Sequence, residues 1–189
     1  MDFQIFTGNP AELPADTLVV TINDNGELSA SAEKIDSASG GAIQARISAK
    51  DVTGSAGSSL TLYSLANTQA NRTVIAGSGK ENLNAVDANK IASTIGKAIA
   101  GKTGTAAVDV SALATDSRPQ AWWAEQIVLA VHAAQYKFIA TLPGKEPSPA
   151  LDTLVWIGED VKTALTVADA KGLGTVSYTH LRAHETSTY

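Results

Sequence analysis

The sequence predicts an α/β domain in which helices cover both faces of a mixed, mostly parallel sheet, a three-layer α/β/α arrangement. Three observations support this fold class. Short apolar runs typical of strands alternate with segments of helical period along most of the chain. The runs at 18–20 and 73–76 contain no charged residue, which indicates strands buried on both faces. Two strand runs follow each other directly at 60–76, which adds one antiparallel hairpin.

The strands are predicted from apolar runs that end at glycine, proline or asparagine. Phe3 to Phe6 alternates apolar and polar residues and is typical of an edge strand. The other strands are predicted at 17–22, 60–65, 73–76, 105–110 and 154–157. The Gly-Ser-Gly sequence at 77–79 is expected to form a tight turn before a helix that begins near Leu83.

The helices are predicted from apolar residues that recur three or four positions apart. Leu28, Ala32 and Ile35 mark the first helix, which the Gly40-Gly41 pair ends. Either of two serines, Ser29 or Ser31, can cap its first turn. A second short helix is predicted at 42–49 and a last one at 161–170.

Two longer helices are predicted between these short ones. One is expected to end at Gly101 and to lie on the sheet, because its apolar stripe consists of Leu83, Ile91, Ile95 and Ile99. The other starts at 116–119, with Pro119 in the first turn, where a missing N–H costs nothing. Its predicted buried face consists of Trp123, Ile127, Val131 and Ala134.

Composition limits the domain count and the expected partners. A chain of 189 residues that is 44% hydrophobic and 17% charged has enough apolar material for one domain but not comfortably for two. The formal net charge is -5 at pH 7 and no window concentrates lysine or arginine, so neither nucleic acid nor membrane is an expected partner. There is no cysteine, which excludes disulfides, thiolate metal sites and a cysteine nucleophile. The first residues, MDFQIF, lack a basic region and a long apolar run, so the cytoplasm is the expected location.

The C-terminal residues differ from the rest of the chain in their pattern of apolar residues. Residues 176–189, VSYTHLRAHETSTY, have no sustained apolar period and resemble translated vector or sequencing-adaptor sequence. We therefore expect the domain to span 1–174 and residues 175–189 to be a non-native or disordered tail.

The GSGK stretch at 77–80 is the first place to look for a ligand site. In an open α/β sheet, a turn after a buried strand lies at the carboxyl edge, where ligands usually bind. The stretch lacks the longer glycine loop and the following serine or threonine that a triphosphate site requires, and it does not match GxGxxG. Glycines that serve a tight turn are the favoured interpretation.

No other pattern assigns a catalytic, cofactor-binding or metal role to a residue of this chain. His180 and His184 are four positions apart, but they lie in the tail, and the order HLRAHE is not HExxH. His132 is alone on a predicted helix and is expected to be a surface or half-buried histidine. Of Trp122 and Trp123, one ring is expected inside and the other towards solvent or a partner.

The order of the segments resembles the N-terminal domain of the leucyl, or cytosol, aminopeptidase family. The resemblance rests on EKIDSASGGAIQARISAKDVTGSAGSSLTLYSL at 33–65, RTVIAGSGK at 72–80 and AEQIVLAVHAAQYKF at 124–138. Two shorter segments also belong to it, ANKIASTIGKAI at 88–99 and LDTLVW at 151–156. The resemblance as a whole extends over about residues 2–174.

This resemblance implies a macro-like α/β fold and a non-catalytic domain that precedes a catalytic domain of the same polypeptide. In that family the catalytic domain carries two divalent metals, zinc or manganese, and the enzymes assemble as homo-oligomeric hexamers that release N-terminal amino acids from peptides. The family's metal-site and substrate-site residues have no counterpart before Gly174. The resemblance therefore implies no catalytic, cofactor-binding or metal residue in this chain.

A second interpretation is a macro-type module that binds ADP-ribose or another nucleotide. Residues 19–43 also resemble macro domains in which an asparagine-rich turn after a strand and a glycine loop before a helix surround the ligand. The turn at 23–26, Asn-Asp-Asn-Gly, only approximates the first feature, and the Gly40-Gly41 pair has fewer glycines than the second. This reading is the alternative function.

Overall fold

The computed structural model describes residues 1–101, 104–135 and 151–157. Six strands lie within them: β1 (Asp2–Phe6), β2 (Thr17–Asn23), β3 (Ser59–Tyr63), β4 (Arg72–Gly79), β5 (Thr105–Asp109) and β6 (Thr153–Ile157). They form one sheet in the order β1-β6-β5-β2-β4-β3. All neighbouring strands are parallel except β3 and β4, which form an antiparallel hairpin. The predicted mixed, mostly parallel sheet is confirmed, with β1 at one edge as expected.

The helices lie in two layers, one on each face of the sheet. They are α1 (Ala30–Ala38), α2 (Ala42–Ser48), α3 (Ala85–Ile99) and α4 (Gln120–Gln135), with short 3-10 turns at Pro10–Glu12 and Ser111–Leu113. The apolar faces of α3 and α4 share one core cluster, whereas α1 and α2 share the cluster on the opposite face. Among the described residues, no helix has the length and apolar character needed to cross a bilayer.

β2 is the strand that joins both cores, because it lies between β4 and β5 and its first six residues are buried. Val19 faces the layer of α3 and α4, while Leu18, Val20 and Ile22 face the layer of α1 and α2. β4 has the same character, with Val74 on the first face and Ile75 on the second. The prediction that these two strands are buried on both faces is confirmed.

The capping residues decide where the helices begin. Of the two candidate serines, Ser29 caps α1, since its Oγ accepts a hydrogen bond from the Ala32 N–H at 3.2 Å. Asn84 caps α3 in the same way, through a 2.8 Å bond from the Asp87 N–H. Leu83 therefore lies before α3, and the predicted helix start near Leu83 is two residues early. Its side chain still packs on the core beneath α3.

The prediction of a tight turn at 77–79 is wrong, because β4 continues to Gly79. The glycines serve a close approach instead of a turn: the loop at 54–58 lies directly against this end of the strand. A Cβ on Gly77 would overlap the Ser55 carbonyl, and a Cβ on Gly54 would overlap the Asn23 carbonyl. The strand needs small residues here because another stretch of backbone occupies the space of a side chain.

The start of α4 and one residue of its predicted buried face differ from the prediction. Pro119 precedes the first helical residue, Gln120, and its carbonyl accepts the first helical hydrogen bond, from the Trp123 N–H. Trp123, Ile127 and Val131 are buried as predicted, but Ala134 is exposed. The last buried residue on α4 is Val131, so the final turn of the helix extends beyond the part of the core that covers it.

Two predictions from the sequence concern residues that the structure does not describe. They are the helix predicted at 161–170 and the tail at 175–189, which contains His180 and His184. Both stay predictions.

Ile75→Ala is expected to lower the free energy of unfolding by about 2 to 5 kcal/mol, because it removes a side chain with no exposed surface from the middle of β4 and leaves a cavity. Urea denaturation measures the change. Val86→Ala is the matched control, since Val86 is 64% exposed and should cost less than about 0.5 kcal/mol. A similar small loss for both variants would contradict the central position of β4.

Candidate functional site

The carboxyl edge of the parallel strands is the natural place for a site in this fold. The helices that follow β2 lie on one face of the sheet and the helix that follows β4 lies on the other, so the chain diverges at the ends of these neighbouring strands. Such a divergence usually leaves a crevice that binds a ligand. The side chains and loops at this edge therefore decide what the domain can bind.

Between β2 and β4 the crevice is filled by the protein itself. The Gly79 N–H donates to the Gly54 carbonyl at 2.8 Å, and the Gly77 N–H donates to the Ser58 carbonyl at 2.9 Å. The Ser78 hydroxyl donates to the Ile22 carbonyl at 3.0 Å, which links the two strand ends directly. Lys80, the one basic residue of the GSGK stretch, is exposed. The GSGK stretch is thus bonded to the protein's own backbone at the ends of β2 and β4.

The Asn23 turn uses its polar side chain to hold its own backbone. The Asn23 side-chain oxygen accepts hydrogen bonds from the N–H groups of Asn25 and Glu27, at 3.0 and 2.9 Å. Its amide nitrogen donates to the Glu27 carboxylate at 2.6 Å. These contacts use the Asn23 side chain to fix its own turn.

Gly40 and Gly41 do not lie near the Asn23 turn. α1 starts beside the end of β2, where the Ser29 N–H donates to the Thr21 carbonyl at 3.0 Å, and it runs back along the sheet. At its other end, Asn67 in the turn between β3 and β4 donates to the Ala38 carbonyl at 3.1 Å. The nine residues of α1 put about 13 Å between the two places. The structure therefore places the two features of the ADP-ribose interpretation at opposite ends of α1.

The helix end that follows the glycines already has an anion. The Asp36 carboxylate accepts hydrogen bonds from the N–H groups of Ile43 and Gln44 at 2.7 and 3.0 Å, at the start of α2. These are the unpaired donors that bind phosphate when a helix N-terminus holds a ligand. Here they are satisfied by an aspartate from α1, a contact that the spacing along the chain did not suggest.

Asp109, at the end of β5, is the functional candidate that the sequence reasoning missed. Its side chain has no exposed surface. One carboxylate oxygen accepts bonds from the Ser111 N–H at 3.0 Å and the Ser111 hydroxyl at 2.5 Å, while the other has no hydrogen-bond partner in the described part of the chain. A carboxylate at this edge disfavours a phosphate ligand. The sequence signal was only an acid directly after an apolar strand.

The tryptophan and histidine side chains considered on α4 pack within the domain. Trp123 is fully buried, and the half-buried Trp122 packs against it with ring centroids 5.1 Å apart. The Arg118 guanidinium lies 5.5 Å from the Trp122 ring centre and donates to the Leu83 carbonyl at 2.9 Å. His132 is half-buried, and this burial lowers its pKa below the ordinary value, with a smaller contribution from the positive amino terminus.

The described residues do not fit a metal centre. No group of three or more histidine, cysteine, aspartate or glutamate side chains comes together in 1–101, 104–135 and 151–157. A groove of about 380 Å³ between α3 and α4 contains one charged group, Lys97, among mostly small side chains. Neither this groove nor another cluster among the described residues offers the paired acids and bases that hydrolysis requires.

Comparison with known proteins decides between the two interpretations. Residues 19–141 match the profile of the cytosol aminopeptidase family, N-terminal domain. The chain belongs to the cytosol aminopeptidase family. A probable cytosol aminopeptidase of Xanthomonas axonopodis pv. citri is 31% identical over 183 residues, which cover 92% of this chain but 36% of the relative. The chain thus spans about a third of the length of the curated relatives that it matches along most of its length.

Solved structures support the fold. A mutant of tomato leucine aminopeptidase superposes with a TM-score of 0.65 at 16% identity, over 89% of this chain and 35% of that one. A Trypanosoma brucei macrodomain in complex with ADP-ribose superposes with a TM-score of 0.59 at 12% identity, over 82% of this chain and 62% of that one. At these identities the likeness shows a shared macro-like architecture, and the expectation of that fold is confirmed.

His132 should make the folded state less stable as the pH falls. The pKa of His132 in the folded state lies below the ordinary value of 6.5, so on acidification the unfolded chain binds the proton first. The stability that neutral His132 contributes above pH 6.5 is therefore lost as the pH falls below that value. His132→Gln should therefore lose less unfolding free energy than the parent chain between neutral and mildly acidic pH, as measured in urea titrations. Equal losses in the two proteins would show that His132 titrates in the same way folded and unfolded.

Proposed function

We propose that this chain is the non-catalytic N-terminal domain of a cytosolic leucyl-type metalloaminopeptidase. The observation that carries the proposal is the combination of a family match at 19–141 with relatives that are nearly three times as long. The relatives are aminopeptidases by name, and the matched part of this chain corresponds to the domain that the family profile describes as N-terminal.

Four acids of this domain hold backbone in place through hydrogen bonds. Asp16 accepts from the Thr105 N–H at 2.9 Å and Asp152 from the Gly104 N–H at 2.8 Å, at the edge opposite the strand ends. Asp36 and Asp109 bind backbone N–H groups in the same way. A two-metal centre instead needs several carboxylates that converge on two ions and a bridging water. These side chains are therefore committed to the fold, which supports a role in assembly and in access to an active site elsewhere.

The whole protein follows from the same proposal. It would contain a catalytic domain after this one, with two divalent metals, zinc or manganese, and it would release N-terminal amino acids from peptides. It would be a hexamer in the cytoplasm, and the partner of this chain would be the catalytic domain of the same polypeptide. Residues 1–174 would form the native domain, and 175–189 would be foreign.

The gene itself provides the direct test. Sequencing the source locus beyond the codon for Gly174 should reveal an open reading frame that continues into a metal-binding domain in place of VSYTHLRAHETSTY. A stop codon directly after the tail in the native locus would oppose the proposal.

The purified chain should release nothing above buffer from a leucine anilide in the presence of manganese or zinc, because the acids of the described residues do not converge on a two-metal site. A full-length cytosol aminopeptidase, such as that of Pseudomonas aeruginosa, is the positive control in the same assay. Metal-dependent turnover that rises in proportion to this chain, after removal of host aminopeptidases, would rule out a non-catalytic domain.

ADP-ribose should not bind at micromolar concentration, because the Asn23 turn and the Gly40-Gly41 loop lie at opposite ends of α1 and Asp36 occupies the start of α2. Isothermal titration calorimetry measures this, with an ADP-ribose-binding macrodomain as the positive control. Saturable binding that Asn25→Ala or Gly41→Val abolishes would favour the nucleotide-binding alternative. Heat that survives both substitutions would place a ligand elsewhere on the domain.

A further inference from the structure

The outer edge of β3 is an open sheet edge. β3 is the last strand in the sheet order and pairs only with β4 among the described residues. Its side chains alternate, with Ser59, Thr61 and Tyr63 exposed on the face of α3, and Tyr63 is 70% exposed. α3 packs over β4 rather than over this strand. β3 therefore extends beyond the helical layer on that face.

The hydrogen-bond pattern identifies which backbone groups face outward. The Ser64 N–H donates to the Asn71 carbonyl, and the Gly77 N–H donates to the Ser58 carbonyl, so the even-numbered residues bond to β4. In an antiparallel pair, the alternate residues direct both N–H and C=O away from the partner strand. Ser59, Thr61 and Tyr63 thus present three donors and three acceptors along the open edge.

This edge lacks the features that usually prevent strand pairing. Natural edge strands carry charged residues, proline or bulges, because unpaired N–H and C=O groups recruit other strands. β3 reads Ser-Leu-Thr-Leu-Tyr, with neither a charge nor a proline, and its register with β4 is regular from Ser59 to Tyr63. The opposite edge is different, since β1 begins with Asp2 beside the charged amino terminus.

We propose that two copies of this chain pair along β3 as antiparallel strands, with Thr61 on the twofold axis. In this register Ser59 of each copy faces Tyr63 of the other, and Thr61 faces Thr61. All three outward donors and all three acceptors of each copy are then used, which makes six hydrogen bonds. A shift by two residues in either direction leaves outward groups unpaired. The pairing joins two six-stranded sheets into one.

The side chains of β3 suit a second copy of the same strand. On one face, Leu60 lies opposite Leu62 of the second copy, so half-buried leucines from both chains cover each other. On the other face, Tyr63 covers Ser59 of the second copy, and the two Thr61 hydroxyls meet. No like charges face each other in this register, which removes the usual obstacle to self-pairing.

Sedimentation equilibrium of the full chain tests the proposal, over concentrations from micromolar to hundreds of micromolar at low salt. The parent chain should reach the mass of two chains. Thr61→Lys should weaken the self-association at least tenfold, since it places two positive charges on the axis. Gln4→Lys, the same kind of change at an exposed residue of the β1 edge, should leave it unchanged.

Two further measurements separate lost pairing from lost folding. Thr61→Pro removes only an outward N–H, so it should abolish the dimer and leave urea stability close to that of the parent. An equimolar mixture of Thr61→Lys and Thr61→Glu should recover the mass of two chains, because opposite charges then meet on the axis. A monomeric parent chain, a Thr61→Lys protein that still dimerises, or a mixture that stays monomeric would each overturn the proposal. These results are independent of the aminopeptidase assignment.

Discussion

The burial of β2 on both faces is the constraint on which the rest of the domain depends. A strand with apolar side chains on both sides is stable only between two covering layers, and its backbone groups need a bonded strand on each side. β4 and β5 provide the strands, α3 and α4 cover Val19, and α1 and α2 cover Leu18 and Val20. The three-layer architecture follows from this one strand.

The same constraint limits what the carboxyl edge can do. β2 and β4 end side by side, and the loop at 54–58 closes over both ends, in contact with the Asn23 carbonyl and the glycines of β4. The Asn23 side chain at this edge is occupied as well, because it holds its own turn. This chain therefore shares its fold with macrodomains, but the groups at its carboxyl edge are used to hold the domain together. This agrees with the proposal that the domain is non-catalytic.

Much of the fold could be predicted from local pattern. The buried strands had uncharged β-branched runs, and the stripe of Ile91, Ile95 and Ile99 placed α3 on the sheet, as its full burial shows. The candidate site could not be predicted in the same way. Gly77 looked like a turn residue because the sequence contains no sign of the loop backbone that lies against it. Asp36 and Asp109 looked like ordinary acids, since their roles depend on groups that the fold brings near.

Local pattern was enough to predict the order and the burial of the strands and helices that the structure describes, and the order of the segments indicated an aminopeptidase family. The order and burial of strands and helices depend on side-chain period and composition, which are local. The packing of distant segments decided that the loop at 54–58 closes over the ends of β2 and β4, and that the outward groups of Ser59, Thr61 and Tyr63 lie at an edge that no other described strand covers. Both depend on the strand order and on the direction in which each connection runs. Such relations between distant segments arise when the chain packs, because residues far apart in sequence become neighbours only then.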